Sequence, residues 1–321
     1  MFDIVIIGAG PAGLTAAIYG KRANKNVLVL EKNTYGGQII TSSKVENYPG
    51  FKNITGYEFA TNIYNQAKDL GADIKFENVI ALKDNDKYKL VVTDKNEYKA
   101  KSVIIATGSK KRMLGLKGEK ELIGKGISYC ATCDGNFFKN KEVAVIGGGN
   151  TAIEEAIYLS GICKKVYIIY RKDEFRADQK EINIINKKDN VEILFNSEVI
   201  ELISDNILTG IEIINNITNE KKQINISGLF IAIGQIPNNE IFNDLINIDD
   251  FGYIKASEDC KTNIEGIFVA GDCRIKKYRQ LTTAASDGTI AALNAVEYLK
   301  KENKNENRKN KWRKFWWKNK K

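Results

Sequence analysis

The chain is punctuated by short, unbroken apolar runs that each end at glycine. FDIVIIGAGPAGLTAA (2–17) reads as a strand, a glycine turn and a helix of small residues, and EVAVIGGGNTAIEEA (142–156) repeats that pattern. In the first copy a second apolar strand, VLVLE, ends on Glu31, 23 residues after Gly8. In the second, VYIIY ends on Tyr170, 23 residues after Gly147. Three further strand-to-glycine runs follow: SVIIATGS (102–109), GLFIAIGQIP (228–237) and GIFVAGDC (266–273). Apolar runs alternating with helices predict an α/β fold around parallel sheets covered on both faces.

The repeat carries chemistry as well as structure. Each glycine cluster sits between a predicted strand and helix, with the next strand at matched spacing, which is the setting of a Rossmann-like dinucleotide-binding unit. Gly8 suits the tight turn, Gly10 lets backbone approach a pyrophosphate, and Gly13 lets helix and strand pack closely. Gly147, Gly149 and Ala152 take those positions in the second copy. The helix N-terminus then offers free N–H groups to phosphate. The copies differ where specificity is set. Glu31 accepts hydrogen bonds from ribose hydroxyls and repels a 2′-phosphate, so the first site suits FAD or NAD. Tyr170 is followed by Arg171, Lys172 and Arg176, cations that pair with a 2′-phosphate, so the second suits NADP.

Composition narrows the class. With 43% hydrophobic and 28% charged residues over 321 positions, the chain reads as a soluble protein of two domains. It has no apolar run of about 18 residues and opens directly on a strand, so a cytoplasmic location is expected. The net charge of +9 suggests nucleic acid until it is located: the last 22 residues hold 11 Lys or Arg and 2 acids, leaving residues 1–299 neutral. That tail also holds all three tryptophans (312, 316 and 317) and Phe315. A disordered extension is the favoured reading, and contact with an anionic membrane or nucleic acid is the alternative.

Five cysteines and no histidine bear on the remaining motif, YCATCDGN (129–136). Two residues between Cys130 and Cys133 suit a metal half-site, a structural staple or a redox dithiol. A metal would need two more soft ligands, and Cys163, Cys260 and Cys273 stand singly, as small buried hydrophobes do, so no metal site is expected.

Taken together, GAGPAG (8–13), GGQI (36–39), ENYPG (46–50), ATGS (106–109), CATCDG (130–135), GGGNTAIEEA (147–156), RKDEFRA (171–177), VAGD (269–272) and RQLTTAASDG (279–288) resemble the low-molecular-weight thioredoxin reductase family of pyridine nucleotide-disulfide oxidoreductases. The resemblance covers residues 1–299. It implies two Rossmann-like dinucleotide-binding domains, FAD in the first and NADPH in the second, the second inserted in the first. The expected division is 1–114 and 243–299 for FAD, 115–242 for NADP and the dithiol, and 300–321 for the tail. The family's FAD positions fall on Gly8, Gly10, Ala12, Gly13, Glu31, Gly37, Gln38, Asn47, Thr107, Gly108, Asp272, Arg279, Gln280 and Leu281. Its NADP positions fall on Gly147, Gly149, Asn150, Thr151, Ala152, Arg171, Lys172 and Arg176. Cys133 is expected to face the flavin, Cys130 to attack the disulfide of thioredoxin or a thioredoxin-like protein, and Asp134 to manage protons. A homodimer, and rotation of the inserted domain between half-reactions, are further implications of the resemblance.

One departure matters. The family's nucleotide signature opens with His-Arg-Arg, whereas this chain has Tyr170-Arg171-Lys172; the Lys keeps the charge and loses the planar fork. A relative that takes electrons from ferredoxin through a degenerate nucleotide site is therefore the alternative enzyme reading. The alternative of another class is a flavin-binding protein whose tail serves membrane or nucleic-acid contact.

Overall fold

The computed structural model describes residues 1–42, 44–85 and 87–318, with side chains for all of these except 303 and 305–318. The chain divides into two compact units, Met1–Lys110 with Ile236–Lys321, and Lys111–Gln235. The sequence placed the crossings at 114/115 and 242/243. They fall slightly earlier because Leu114 packs against the core of the second unit and Phe242 is buried in a core of the first.

In the first unit, β1 (Phe2–Ile7) leads through α1 (Pro11–Arg22) to β2 (Val27–Glu31). Pro11 opens α1, where its missing N–H costs nothing, and Lys21 and Arg22 close it, where cations suit the helix dipole. Helix α2 (Gly56–Asp69) starts on a capping box between Thr55 and Glu58 and returns to β3 (Asp73–Phe76). A meander follows, β4 (Val79–Asn85), β5 (Tyr88–Thr93) and β6 (Glu97–Ile105). The sheet order is β3-β2-β1-β6-β5-β4, parallel from β3 to β6 and antiparallel from β6 to β4. The chain leaves through β7 (Ser109–Lys111).

The second unit contains β8 (Ile127–Ser128), α3 (Ala131–Asp134), β9 (Glu142–Ile146), α4 (Asn150–Ser160), β10 (Lys165–Ile169), α5 (Gln179–Ile185) and β11 (Val191–Leu194). An antiparallel ribbon of β12 (Ser197–Asp205), β13 (Ile207–Asn215) and β14 (Lys221–Asn225) follows, then β15 (Gly228–Ile231). The main sheet is wholly parallel, in the order β11-β10-β9-β15-β8. The chain returns through β16 (Gln235–Pro237), which pairs with β7.

Back in the first unit, β17 (Ile267–Val269) lies parallel to β6 with Ile267 opposite Val103, and α6 (Leu281–Lys318) follows. Each parallel sheet has a buried apolar cluster on either face, which is why its strands read as unbroken apolar runs. Helix α6 packs its alanines 291, 292 and 295 with Ala12 and Ala16 of α1. It then continues as helix to Lys318, against the expectation of a disordered tail. The reason is compositional: from Thr289 to Lys318 there is neither Gly nor Pro, and Lys, Glu and Arg are good helix formers. Trp312, Phe315, Trp316 and Trp317, which suggested an anionic surface contact, lie outside the described side chains. Among the described residues no helix is long and apolar enough to cross a membrane.

Candidate active site

The first glycine loop is held from several sides. Gly8 ends β1 at φ +110°, a conformation that favours glycine, and a Cβ there would overlap the carbonyl of Ala106 at the end of β6. Ala9 N donates to Glu31 Oε2 at 2.8 Å, Asn33 N donates to Glu31 Oε1 at 3.0 Å, and Gly36 N donates to Ala9 O at 2.7 Å. Gly37 faces Gly10, and Gly271, next to Asp272, lies against the methyl of Ala12. The structure thus brings Gly8, Gly10, Ala12, Gly13, Glu31, Gly37, Thr107 and Asp272 to one end of the sheet.

Around this loop are unused polar atoms. Asp272 Oδ1 and Arg279 Nε are buried without a hydrogen-bond partner. Burial raises the Asp272 pKa, opposed by the charges of Lys276 and Arg279. The Arg279 guanidinium lies 4.3 Å from the Tyr253 ring centroid. A buried orphan acceptor and donor beside a glycine loop fit a dinucleotide that supplies both hydroxyls and phosphate. Gln38 donates to Ser109 O at 2.7 Å, and Asn47 donates to Gln280 at 3.3 Å, adjoining Leu281 at the start of α6. Gly108 follows Thr107 at φ +63°.

Two supports were not anticipated from sequence. Thr107 Oγ1 lies 3.0 Å from the Oδ1 of buried Asn239, whose Nδ2 donates to Gly252 O and Cys273 O. Asp287 accepts from Gly271 N, from Arg274 at both oxygens and from Lys276, each at 2.9 Å. Burial alone would raise its pKa; the hydrogen bonds from Arg274 and Lys276 outweigh this and hold it below the usual carboxylate range. The loop carrying Asp272 is anchored through that carboxylate.

The second loop has the same turn and a different surround. Gly147 takes φ +143° against the carbonyl of Ala232. Arg176 N donates to Gly148 O at 2.7 Å, and Asp178 N to Asn150 Oδ1 at 2.8 Å, so the segment after β10 folds back onto the loop. The Tyr170 ring lies against Gly148 and stacks with Phe175 at 6.1 Å. Arg171 and Arg176 are exposed, as are Asn150 and Thr151, while Lys172 is half-buried and Ala152 buried. A Cβ on Gly149 would meet nothing within 4 Å. Open space over the loop, flanked by exposed guanidinium groups, fits a nucleotide phosphate.

The dithiol belongs to this same unit. Cys130 and Cys133 form a disulfide around the one-turn helix α3, with Cys130 half-buried and Cys133 exposed. Ser128, buried at the end of β8, donates to Asp134 Oδ2 at 2.6 Å and accepts from Cys130 N at 3.1 Å. Ala131 N donates to Glu155 Oε1 of α4 at 3.3 Å. Glu119 accepts from Tyr129 Oη at 2.9 Å and from the backbone of Leu114 and Gly115. Ser128 and Glu155 were missed by sequence reading; Ser128 lies just outside the cysteine motif, and Glu155 looks like an ordinary helix-surface acid. Cys163, Cys260 and Cys273 are free and buried, and burial pushes the thiols of 163 and 273 up to about 11 and that of 260 to about 12. Such thiols are inert at neutral pH. Among the described residues no group of three or more His, Cys, Asp and Glu could hold a metal ion.

Comparison with known proteins bears on this geometry. The family model of pyridine nucleotide-disulphide oxidoreductases matches residues 2–288. A thioredoxin reductase from Listeria monocytogenes is 41% identical over 300 residues, spanning 93% of this chain and 94% of its own. One from Mycoplasma genitalium is 44% identical over 295 residues, 91% of this chain and 94% of that one. The crystal structure of thioredoxin reductase from Streptococcus pyogenes matches with a TM-score of 0.89 at 39% identity, covering 94% of this chain and 99% of that one.

Proposed function

Because the chain belongs to the thioredoxin reductase family of pyridine nucleotide-disulphide oxidoreductases, we propose that it reduces the disulfide of thioredoxin, or of a thioredoxin-like protein, with electrons from NADPH. The observation that carries this reading is a formed Cys130–Cys133 disulfide, adjoining Asp134, on the unit that bears the second glycine loop.

Bound FAD supplies the two-electron relay between nicotinamide and disulfide. Gly8, Gly10, Ala12 and Gly13 would hold its pyrophosphate, Glu31 its ribose, and Asp272, Arg279 and Gln280 the chain leading to the flavin, with Gly37, Gln38, Asn47, Thr107, Gly108 and Leu281 beside it. Gly147, Gly149, Asn150, Thr151 and Ala152 would receive the NADPH pyrophosphate, and Arg171, Lys172 and Arg176 its 2′-phosphate.

The protein groups then manage sulfur and protons. Two electrons entering the Sγ–Sγ bond break it and, with one proton taken up, leave a thiol and a thiolate. The Cys130 thiolate attacks one sulfur of the partner disulfide and expels the other as a thiolate, which takes up a proton. Cys133 gives its proton to Asp134 and attacks Cys130 in the mixed disulfide. The internal disulfide re-forms, and the second partner sulfur leaves as a thiolate that is protonated in turn. With no histidine in the chain, Asp134, held by Ser128, is the proton carrier best placed for this exchange.

The folded-back Arg176 segment and the open Gly149 favour NADPH over a ferredoxin donor, since a degenerate site would have no need of either. A cytoplasmic location is proposed as well, and the three free, buried cysteines suit a reducing compartment. A homodimer is proposed from the family alone.

The test is anaerobic addition of NADPH, then separately NADH, to the flavin-loaded protein. Rapid bleaching by NADPH and slow bleaching by NADH, followed by turnover with thioredoxin, is expected. Bleaching by neither, with a chemical reductant still effective, would overturn NADPH as donor. Bleaching without thioredoxin turnover would overturn the substrate.

A further inference from the structure

Glu155 is the second carboxyl group at the dithiol, and nothing in the reaction just described uses it. It projects from α4, and one of its oxygens, Oε1, accepts the N–H of Ala131, the residue that follows Cys130 in α3. Its other oxygen, Oε2, is buried without a hydrogen-bond partner. A buried, half-satisfied carboxylate is costly, whereas the protonated acid carries no charge to desolvate. The charged groups that face it are Lys111 from β7, Asp134 from α3 and Glu154 on its own helix. Lys111 therefore serves two acids, and it also lies 4.8 Å from the Tyr129 ring centroid.

We propose that Glu155 is a positioning residue for the dithiol that also stores a proton: it holds the backbone at Ala131 and changes its charge when the Cys130–Cys133 bond is broken or made. The inference rests on the disulfide-reductase reading above and deepens it.

In the disulfide form, burial pushes the Glu155 pKa up to about 7, with the hydrogen bond from Ala131 and the charge of Lys111 opposing and the charges of Asp134 and Glu154 assisting. Reduction with one proton creates a thiolate near this carboxyl, and a new negative charge raises its proton affinity further. Between the lower value, near 7, and the higher one of the reduced form, Glu155 is ionised in the disulfide state and protonated in the dithiol state. Reduction in that window therefore takes up an additional proton, and the midpoint potential of the pair falls more steeply with pH there than on either side. The onset is set against two neighbouring charges, Asp134 raising the Glu155 pKa and Lys111 lowering it.

The test equilibrates the flavin-loaded protein with mixtures of reduced and oxidised dithiothreitol at each half unit of pH from about 5 to about 9, roughly two units either side of the onset near 7. Acid quench, denaturation, alkylation and mass measurement then count the reduced pair, since the three other cysteines alkylate in both states. The wild type is expected to show the steeper segment beginning near pH 7. Glu155→Gln, which keeps an acceptor for Ala131 and cannot ionise, should lose that segment, while Asp134→Asn should keep it and move it to lower pH, because the Asp134 charge raises the Glu155 pKa. Glu155→Asp should also keep it, displaced. A purely structural role for Glu155 would leave the profile of the Gln variant unchanged, and that result, or the absence of the segment from the wild type, would overturn this inference alone. If the Gln variant fails to fold, an unmoved profile in the Asp variant overturns it equally. A pair that stays oxidised at every dithiothreitol ratio would overturn the reductase reading along with it.

Discussion

The two glycine loops share a turn and differ in how firmly the rest of the protein grips them. The first is closed in: Glu31 takes the N–H of Ala9, Gly36 donates to its carbonyl, and the backbone of Ala106, Gly37 and Gly271 packs against it. The second is braced from one side, by the Arg176 segment and the Tyr170 ring, and stays open over Gly149 with guanidinium groups in solvent. A resident cofactor gains from a loop whose shape is set before binding, because less ordering entropy is lost. A reductant that must leave in every cycle is better served by an accessible loop whose affinity comes from charges at the rim. Rigid enclosure on one side and exposed charge on the other is what a flavin and an exchanging nicotinamide nucleotide would each require.

The sharpest way to break that comparison is to add one methyl group to each loop. At Gly13 the added Cβ would overlap the carbonyl of Gly8, with the Ile6 side chain 3.3 Å away. Gly13→Ala should therefore cost about 3 kcal/mol or more, since backbone must move, and the protein should purify without flavin or fail to fold. Thermal melting and the visible flavin absorbance check this; a stable yellow variant would mean that the first loop is not rigid. Gly149→Ala has the next largest effect and the opposite character. The site is open and its φ of −95° suits any residue, so stability should change by no more than about 0.5 kcal/mol. On the assignment proposed above, the methyl would nevertheless occupy the place where pyrophosphate approaches the backbone. KM for NADPH and for NADH should rise together by about tenfold to a hundredfold, roughly 1.4 to 2.8 kcal/mol, with flavin content unchanged.

How far the sequence could reveal this contrast depends on which interactions are local. β1, α1, β9 and α4 were legible because unbroken apolar strands, glycine turns and small-residue helices repeat at matched spacing. β4, β5 and the ribbon β12–β14 were not recognised, since their alternating strands carry many charged and polar residues and lack a motif, and of β6 only the apolar end within SVIIATGS (102–109) was. The glycines, cysteines and the Arg171–Arg176 segment could be found by motif. Asn239, Arg274 and Asp287 could not: they are 1%, 1% and 3% exposed, yet in sequence each looks like a solvated polar residue. Nothing local announces that Arg274 and Asp287, 13 positions apart, will meet inside the protein. Glu155 escaped for the same reason, its role being set by α3 arriving across the fold.

Charge at the second loop offers a finer test than the methyl groups. On the assignment proposed above, removing Arg171 or Arg176 takes away a partner for 2′-phosphate and leaves the pyrophosphate seat intact. Each Ala variant should raise KM for NADPH about tenfold, the ~1.4 kcal/mol expected of an exposed charge-assisted bond, and leave KM for NADH unchanged. Parallel loss with both nucleotides would place these residues at the pyrophosphate instead.

The smallest effect is expected where the first loop is already over-braced. Glu31→Gln retains one acceptor oxygen, so it can satisfy Ala9 N or Asn33 N but not both. The backbone contacts of Ala106, Gly36 and Gly271 remain, and the loop should keep its shape. Flavin affinity should then fall by about 1 kcal/mol, roughly fivefold, the share of one hydrogen bond to an ionised group partly replaced by a neutral one. Equilibrium dialysis of FAD against the stripped protein reads this directly, with ADP as the control that samples the same ribose. Equal loss for FAD and ADP would place the effect at the ribose end of the loop. A loss of a hundredfold or more would mean that Glu31, and not the surrounding backbone, holds the first loop in shape, and the contrast between an enclosed and an open site would then reduce to a single side chain.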